Sequence, residues 1–175
     1  MPLLMLKDLP RYECLLEASR ELPDLDPSAT VVFLNLLRTG DEAFRVVAAH
    51  LAKYEITQGR FGVLMALWGV CQRAGCPTRL TPAELADHTG VTRATITGLI
   101  DTLEGSGLVT RTPHSDDRRM MTVGLTRRGE NLLLQILPAH FRQMALLMDP
   151  LSESERKTLV RLLTKILLRA AELPG

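Results

Sequence analysis

The 175-residue sequence has few aromatic residues, few cysteines and no excess of charge of either sign. Aromatic side chains make up 4% of the chain, and the three cysteines, at positions 14, 71 and 76, are an odd number. An odd and sparse set does not build the disulfide framework of a small secreted domain. Because the formal net charge is +1, overall charge alone does not indicate a nucleic-acid partner.

A long apolar run is also missing. No window approaches the roughly 18 uninterrupted apolar residues of a membrane span. The first residues, MPLLMLKDLPRYE, contain no apolar core of signal-peptide length. We therefore expect a cytoplasmic protein with no membrane partner.

The sequence shows no pattern typical of an enzyme. We find no Ser-His-Asp spacing, no phosphate-binding glycine loop and no pair of converging carboxylates. The four histidines, at positions 50, 88, 114 and 140, show no spacing that would complete a zinc site with the cysteines. We therefore expect no enzymatic activity, no metal and no cofactor.

What is present is a stretch from Leu80 to Gly129 that predicts two short helices. Thr81 and Glu84 are spaced as a capping box, which predicts the start of a helix that ends at a Thr-Gly turn. Thr92 is the predicted N-cap of a second helix, whose inward stripe is formed by Ile96, Leu99, Ile100 and Leu103. Two helices joined by a tight turn form a helix-turn-helix.

The other face of the second helix is small, hydroxylated or basic, which suits a major groove about 12 Å wide. The residues predicted to contact DNA from this helix are Thr92, Arg93, Ala94, Thr95, Thr97 and Gly98. Between residues 81 and 129 the chain carries six arginines and six acids. DNA binding therefore depends on where the arginines lie, and we expect modest non-specific affinity.

A charged hairpin at 108–125, called the wing below, follows the second helix, which is the recognition helix of such a motif. Strands are predicted at 108–111 and at 121–125, where apolar residues alternate with Thr122 and Gly124. In the loop between the strands, Asp117 can orient a neighbouring guanidinium toward the DNA backbone or minor groove. Arg127 lies in the first turn of the next helix, where a cation opposes the helix dipole, so a phosphate contact is predicted there. The predicted contacts of this region are Asp117, Arg118, Arg119 and Arg127.

This stretch resembles the MarR family of bacterial transcription regulators. The resemblance is carried by VTRATITGLIDTLEGSGLV at 91–109, by Asp117-Arg118-Arg119, and by Leu125-Thr126 with Gly129; weaker similarity covers 27–171. It implies a homodimer, with helices from both chain ends at the interface, on a palindromic operator in double-stranded DNA. It also implies that Arg119 is the wing-tip arginine and Asp117 its partner. Gly98 and Thr102 depart from the basic residues of many relatives, which implies fewer phosphate contacts.

Helical patterns flank the winged helix on both sides. On the N-terminal side we predict a short helix at 12–21, a long helix capped by Ser28 to about Tyr54 with an interruption at Gly40-Asp41, and a helix capped by Thr57 to about Arg73. The last of these has a predicted inward stripe of Phe61, Leu64, Met65, Trp68 and Cys71.

On the C-terminal side we predict a helix capped by Thr126 that runs to Leu147 with a kink or break at Pro138. Ser152 and Glu155 form a second predicted capping box, which opens a final helix to about Ala171. The prediction is thus a mainly α protein, a winged helix-turn-helix with a two-stranded wing. It comprises an extension at 1–26, dimerisation helices at 27–56 and 130–175, and a DNA-binding domain at 57–129.

Three interpretations of the function remain open. The resemblance favours a repressor that responds to a small aromatic acid or phenol, with His50, Phe61, Met65, Trp68 and Arg111 as possible lining residues, although these side chains also suit a core. Cys14 suggests a redox-responsive repressor, because peroxide-sensing relatives carry a reactive cysteine near the N-terminus. A winged helix that binds only another protein is the third alternative, because the net charge of the domain is zero.

Overall fold

The computed structural model describes residues 8–71, 79–113 and 120–173. These residues form mainly helices, as predicted, with one two-stranded sheet. In chain order the elements are α1 (Tyr12–Ala18), α2 (Pro27–Ala52), α3 (Gln58–Cys71), α4 (Pro82–Thr89), α5 (Arg93–Gly105), β1 (Val109–Pro113), β2 (Met121–Leu125), α6 (Arg127–Leu147) and α7 (Glu153–Glu172). The chain divides into two compact units, Met1–Leu133 and Leu134–Gly175.

The long helix α2, against which α1 packs, differs from its prediction in two respects. Its N-cap is Asp26 and not Ser28, because Pro27 at the first helical position leaves the preceding carboxylate to accept from the backbone N–H groups of Ser28, at 2.8 Å, and Ala29, at 3.0 Å. The predicted interruption at Gly40-Asp41 is wrong, since the helix is continuous there. One glycine inside a helix costs only about 1 kcal/mol, which a 26-residue helix outweighs.

The core of the first unit lies where α3, α4, α5 and the sheet pack together. In α5 the predicted stripe is confirmed for Ile96, Ile100 and Leu103, whereas Leu99 is half-buried. The stripe predicted for α3 is wrong in part: Met65 and Trp68 are half-buried, and the buried side chains are Phe61, Val63, Leu64 and Leu67. Because α3 is apolar on every side, its periodicity does not define one inward face. The side chain of Cys71, and all of Cys76, lie outside the described residues.

β1 and β2 are antiparallel, with Val109 opposite Leu125 and Pro113 opposite Met121. On the other side of β2, Leu80 pairs with Val123 through N–H···O bonds of 3.0 and 2.7 Å. β1 ends at Pro113, two residues beyond the predicted end at Arg111. The simple alternation predicted for β2 is wrong, because Thr122 and Gly124 are buried as Val123 is. Helices α3 and α4 pack on this strand, and the side chain of Arg79 lies over Gly124.

The predicted caps of α6 and α7 are confirmed. Thr126 Oγ1 accepts from the backbone N–H of Gly129 at 3.1 Å, and Ser152 with Glu155 forms a capping box. Pro138 lies inside α6, which continues to Leu147, so the chain has no break there. All residues of α7 are exposed. In the parts of the chain that the structure describes, no helix has both the length and the apolar character needed to cross a membrane.

Candidate nucleic-acid interface

The two helices of the predicted helix-turn-helix are set by their caps. Thr81 Oγ1 accepts from the N–H of Glu84 at 3.2 Å, and the Glu84 carboxylate accepts from the N–H of Thr81 at 2.7 Å, which is the predicted capping box. α4 ends at Gly90, whose φ of 66° lies in the left-handed region that glycine adopts without strain. The N–H of Val91 then bonds the carbonyl of Ala86 at 3.2 Å, which closes the turn before α5.

Helix α5 presents the predicted face to solvent. All six residues that we predicted to contact DNA from this helix are exposed: Thr92, Arg93, Ala94, Thr95, Thr97 and Gly98. Thr92 Oγ1 caps the helix by accepting from the N–H of Thr95 at 3.2 Å. The Thr97 hydroxyl donates to the carbonyl of Arg93 at 2.8 Å, so its oxygen is left as an acceptor. Arg93 is therefore the charged donor of a face that is otherwise small and uncharged.

Arg111 joins β1 to the C-terminal half of α5. Its guanidinium donates to Asp101 Oδ1 and to Glu104 Oε2, both at 2.5 Å. Its backbone N–H also donates to Glu104 Oε1 at 3.0 Å. The hydrogen bond to Asp101 is the main cause that raises the pKa of Arg111 above its ordinary value; partial burial opposes it and Glu104 adds to it. Arg111 is therefore a permanent cation held between two carboxylates.

A second polar group lies on the other face of the hairpin. Arg79 donates to Thr112 Oγ1 at 3.0 Å, and the hydroxyls of Thr112 and Thr122 lie 3.2 Å apart across the two strands. Sequence reasoning missed Arg79, Asp101 and Glu104. A signal was available for the acids, because residues three apart share one face of a helix and an arginine follows in the next strand.

The remaining predicted DNA contacts are placed only in part. Arg127 is exposed at the start of α6 and pairs with Glu130 at 3.3 Å. The wing residues Asp117, Arg118 and Arg119 lie outside the described residues. Their contacts with DNA stay a prediction.

The predicted effector residues lie on three elements. His50 is buried on α2, with its ring 5.4 Å from that of Tyr54. Phe61 is buried on α3, where Met65 and Trp68 are half-buried, and α2 packs against α3. Arg111 lies on β1 and is bonded to the two acids of α5.

The cysteine and metal predictions concern other parts of the chain. Cys14 is exposed on α1. Across residues 8–71, 79–113 and 120–173, no three His, Cys, Asp or Glu side chains are grouped as a metal site requires.

These elements define a winged helix-turn-helix of the kind that binds DNA: a capped helix, a glycine turn, an exposed second helix and a two-stranded hairpin. The MarR family model matches residues 71–121. The chain is 34% identical over 158 residues to the HTH-type transcriptional repressor YetL of Bacillus subtilis, covering 90% of this chain and 92% of that protein. The chain belongs to the MarR family.

Solved structures give the same fold. A mutant of E. coli MarR complexed with operator DNA is 27% identical, with a TM-score of 0.66 over 76% of this chain and 91% of that one. AbsC of Streptomyces coelicolor, 19% identical, matches in fold with a TM-score of 0.75 over 85% and 98% of the two chains. The protein is thus a DNA-binding transcriptional regulator and not an enzyme. The comparisons favour this function over a winged helix that binds only proteins.

Proposed function

We propose that the protein is a repressor that binds a palindromic operator as a homodimer and releases it when a small aromatic acid or phenol binds. The observation that carries the proposal is the exposed face of α5, where Arg93 stands among small side chains. A helix with this face enters the major groove and brings its first turns against base edges. The name of YetL, a repressor, supports this direction of control, and the operator DNA bound to E. coli MarR supports the DNA partner.

In the proposed complex α5 lies in the major groove and the wing reaches the minor groove. Arg119, oriented by Asp117, is the wing-tip contact, Arg118 lies beside it, and Arg127 contacts a phosphate. Each positive charge that neutralises a phosphate releases counterions, so binding weakens as salt rises. A DNA partner also supports our proposal that the protein works in the cytoplasm.

The proposed dimer uses helices from both chain ends. Four exposed apolar side chains lie on one face of α7, each three or four residues from two of the others: Leu159, Leu162, Leu163 and Ile166. A surface helix with such a stripe needs a partner surface. We assign dimerisation to 27–56 and 130–175, DNA binding to 57–129, and an extension to 1–26. A two-fold axis then holds the recognition helices about 34 Å apart, one turn of DNA.

The proposed effector site uses His50, Phe61, Met65, Trp68 and Arg111. A flat aromatic effector suits this set, because it combines apolar side chains with the polar groups of His50 and Arg111. An effector that prefers a dimer with another separation of the recognition helices would release DNA by a population shift.

Oxidation of Cys14 is the alternative trigger. The exposure of Cys14 on α1 favours it, because an oxidant can reach the thiol.

The test begins with footprinting of the purified protein on genomic fragments, with and without candidate aromatic acids. On the operator found, Arg93→Ala and Arg119→Ala should each weaken binding by about 1–3 kcal/mol. Arg20→Ala removes an exposed arginine from the extension at 1–26, outside the proposed DNA and dimer contacts, and should leave binding nearly unchanged. Failure of the wild-type protein to bind any duplex at low salt would refute DNA binding, and full binding by Arg93→Ala would remove that side chain from the interface.

A further inference from the structure

Strand β1 is held on both of its faces by residues outside the hairpin. Arg111 and Thr112 are successive residues of the strand, so their side chains point to opposite sides of the sheet. On one side Arg111 is bonded to Asp101 and Glu104 of α5. On the other side Thr112 accepts from Arg79, whose side chain lies over Gly124 of β2.

Glu104 also satisfies the free edge of β1. In the part of the chain that the structure describes, β1 pairs only with β2, so its outer edge has no strand beside it. The backbone N–H of Arg111 instead donates to Glu104 Oε1 at 3.0 Å. One carboxylate thus binds the main chain and, through its second oxygen, the guanidinium of the same residue. Such a two-point contact fixes both the position and the direction of the strand.

These two acids carry an electrostatic cost for a DNA-binding helix. Asp101 and Glu104 place two negative charges on α5, where each opposes the approach of phosphates. Their side chains are 59% and 38% exposed, whereas that of Arg111 is 24% exposed. An isolated pair of five-residue strands is only marginally stable in water, so the hairpin depends on what holds it.

We propose that Asp101, Glu104 and Arg111 are positioning residues that fix the hairpin to the recognition helix, so that α5 and the wing meet DNA as one rigid unit. Arg79 and Thr112 hold the strand from its other face. The proposal rests on the proposed function, in which both α5 and the wing contact the operator. It assigns to the acids a role in specific binding that outweighs their repulsion of phosphate.

The test uses the opposite signs of these two effects. The double variant Asp101→Asn, Glu104→Gln should bind the operator about tenfold more weakly, the effect of losing one charge-assisted hydrogen bond. The same variant should bind an unrelated duplex as well as the wild type or better, because two negative charges are gone. Affinity for both duplexes is measured by fluorescence anisotropy at one fixed salt concentration, together with the melting temperature.

Asp87→Asn is the matched control, since it removes an exposed acid from α4 and should slightly raise affinity for both duplexes. If the double variant gains affinity for both, charge alone explains the acids and the proposal is wrong. If it loses affinity for both and melts earlier, the acids only stabilise the fold, which also overturns the proposal, as does unchanged operator binding. Failure of the wild type to bind an operator is a separate result that refutes the proposed function.

Thr112→Val tests the other face of the strand. It keeps the shape of the side chain but removes the oxygen that accepts from Arg79 at 3.0 Å. We expect a loss of operator affinity in the same direction, with affinity for the unrelated duplex unchanged. Thr110→Val changes the same residue type two positions earlier in β1 and should leave both affinities near the wild-type values. Equal effects of the two variants would remove Arg79 from the positioning role.

Discussion

Among the glycines in the described part of the chain, Gly129 leaves the least room for a side chain. A Cβ built there would lie 2.2 Å from the carbonyl oxygen of Leu108, an oxygen that also accepts from Thr126. The start of α6 therefore approaches the backbone at Leu108 more closely than an alanine allows. We expect Gly129→Ala to lower the free energy of unfolding by about 1–3 kcal/mol or more, the usual cost of forced overpacking. Thermal or urea unfolding measures it.

Gly105→Ala is the control for that substitution. Gly105 lies at the end of α5, and a Cβ added there would have open space within 4 Å. Alanine there should leave stability unchanged or raise it by up to about 1 kcal/mol, because alanine favours a helix over glycine. Equal destabilisation by the two variants would show that the close approach at Leu108 is not the cause.

At the scale of single elements, the helix starts were the most predictable feature. Thr81, Thr92 and Ser152 are N-caps as predicted, because a side-chain oxygen beside free N–H groups is a strong local signal. Asp26 was missed because Ser28, two residues later, offers the same chemistry in the sequence. The two-faced burial of β2 was missed because the bridge at Leu80 and the cover from Arg79 are long-range contacts that no local pattern contains.

The site was predictable to a similar extent. The exposed face of α5 follows from the period of its buried residues, so all six of its predicted contact residues lie on the surface. The link from Arg111 to Asp101 and Glu104 joins a strand to a helix, and its geometry depends on how the two pack. Sequence alone named Arg111 as a possible effector residue, and its bonds to the two carboxylates are seen only in the structure.

Helix α5 gives a prediction at the same scale. Thr92→Val removes the hydroxyl that accepts from the N–H of Thr95, so we expect a loss of about 1 kcal/mol in the free energy of unfolding. Thr102→Val alters the same residue type on the same helix, where the hydroxyl donates only to the carbonyl of Gly98, and should change stability much less. Chemical denaturation of both variants measures the difference. A comparable loss in both would contradict a capping role for Thr92.

At the scale of the whole molecule, α7 carries apolar side chains that a single chain leaves exposed. It has 20 residues, which gives a length of about 30 Å, and all of them are exposed. Helices in water take most of their stability from packing an apolar face. The stripe of Leu159, Leu162, Leu163 and Ile166 is such a face. A second copy of the chain would cover it in the proposed dimer.

Leu163→Lys places a charge in the middle of that stripe and should raise the dimer dissociation constant by at least about tenfold, because a charge would have to leave water on association. Thr164→Lys adds the same charge at the next position, outside the stripe, and should leave the dimer intact. Sedimentation velocity at several concentrations separates the two outcomes. Operator affinity should fall when the dimer dissociates. A single subunit engages only one half-site and loses the effective concentration that links the two half-sites. A wild-type monomer, or equal dissociation of both variants, would show that α7 is not the dimer contact.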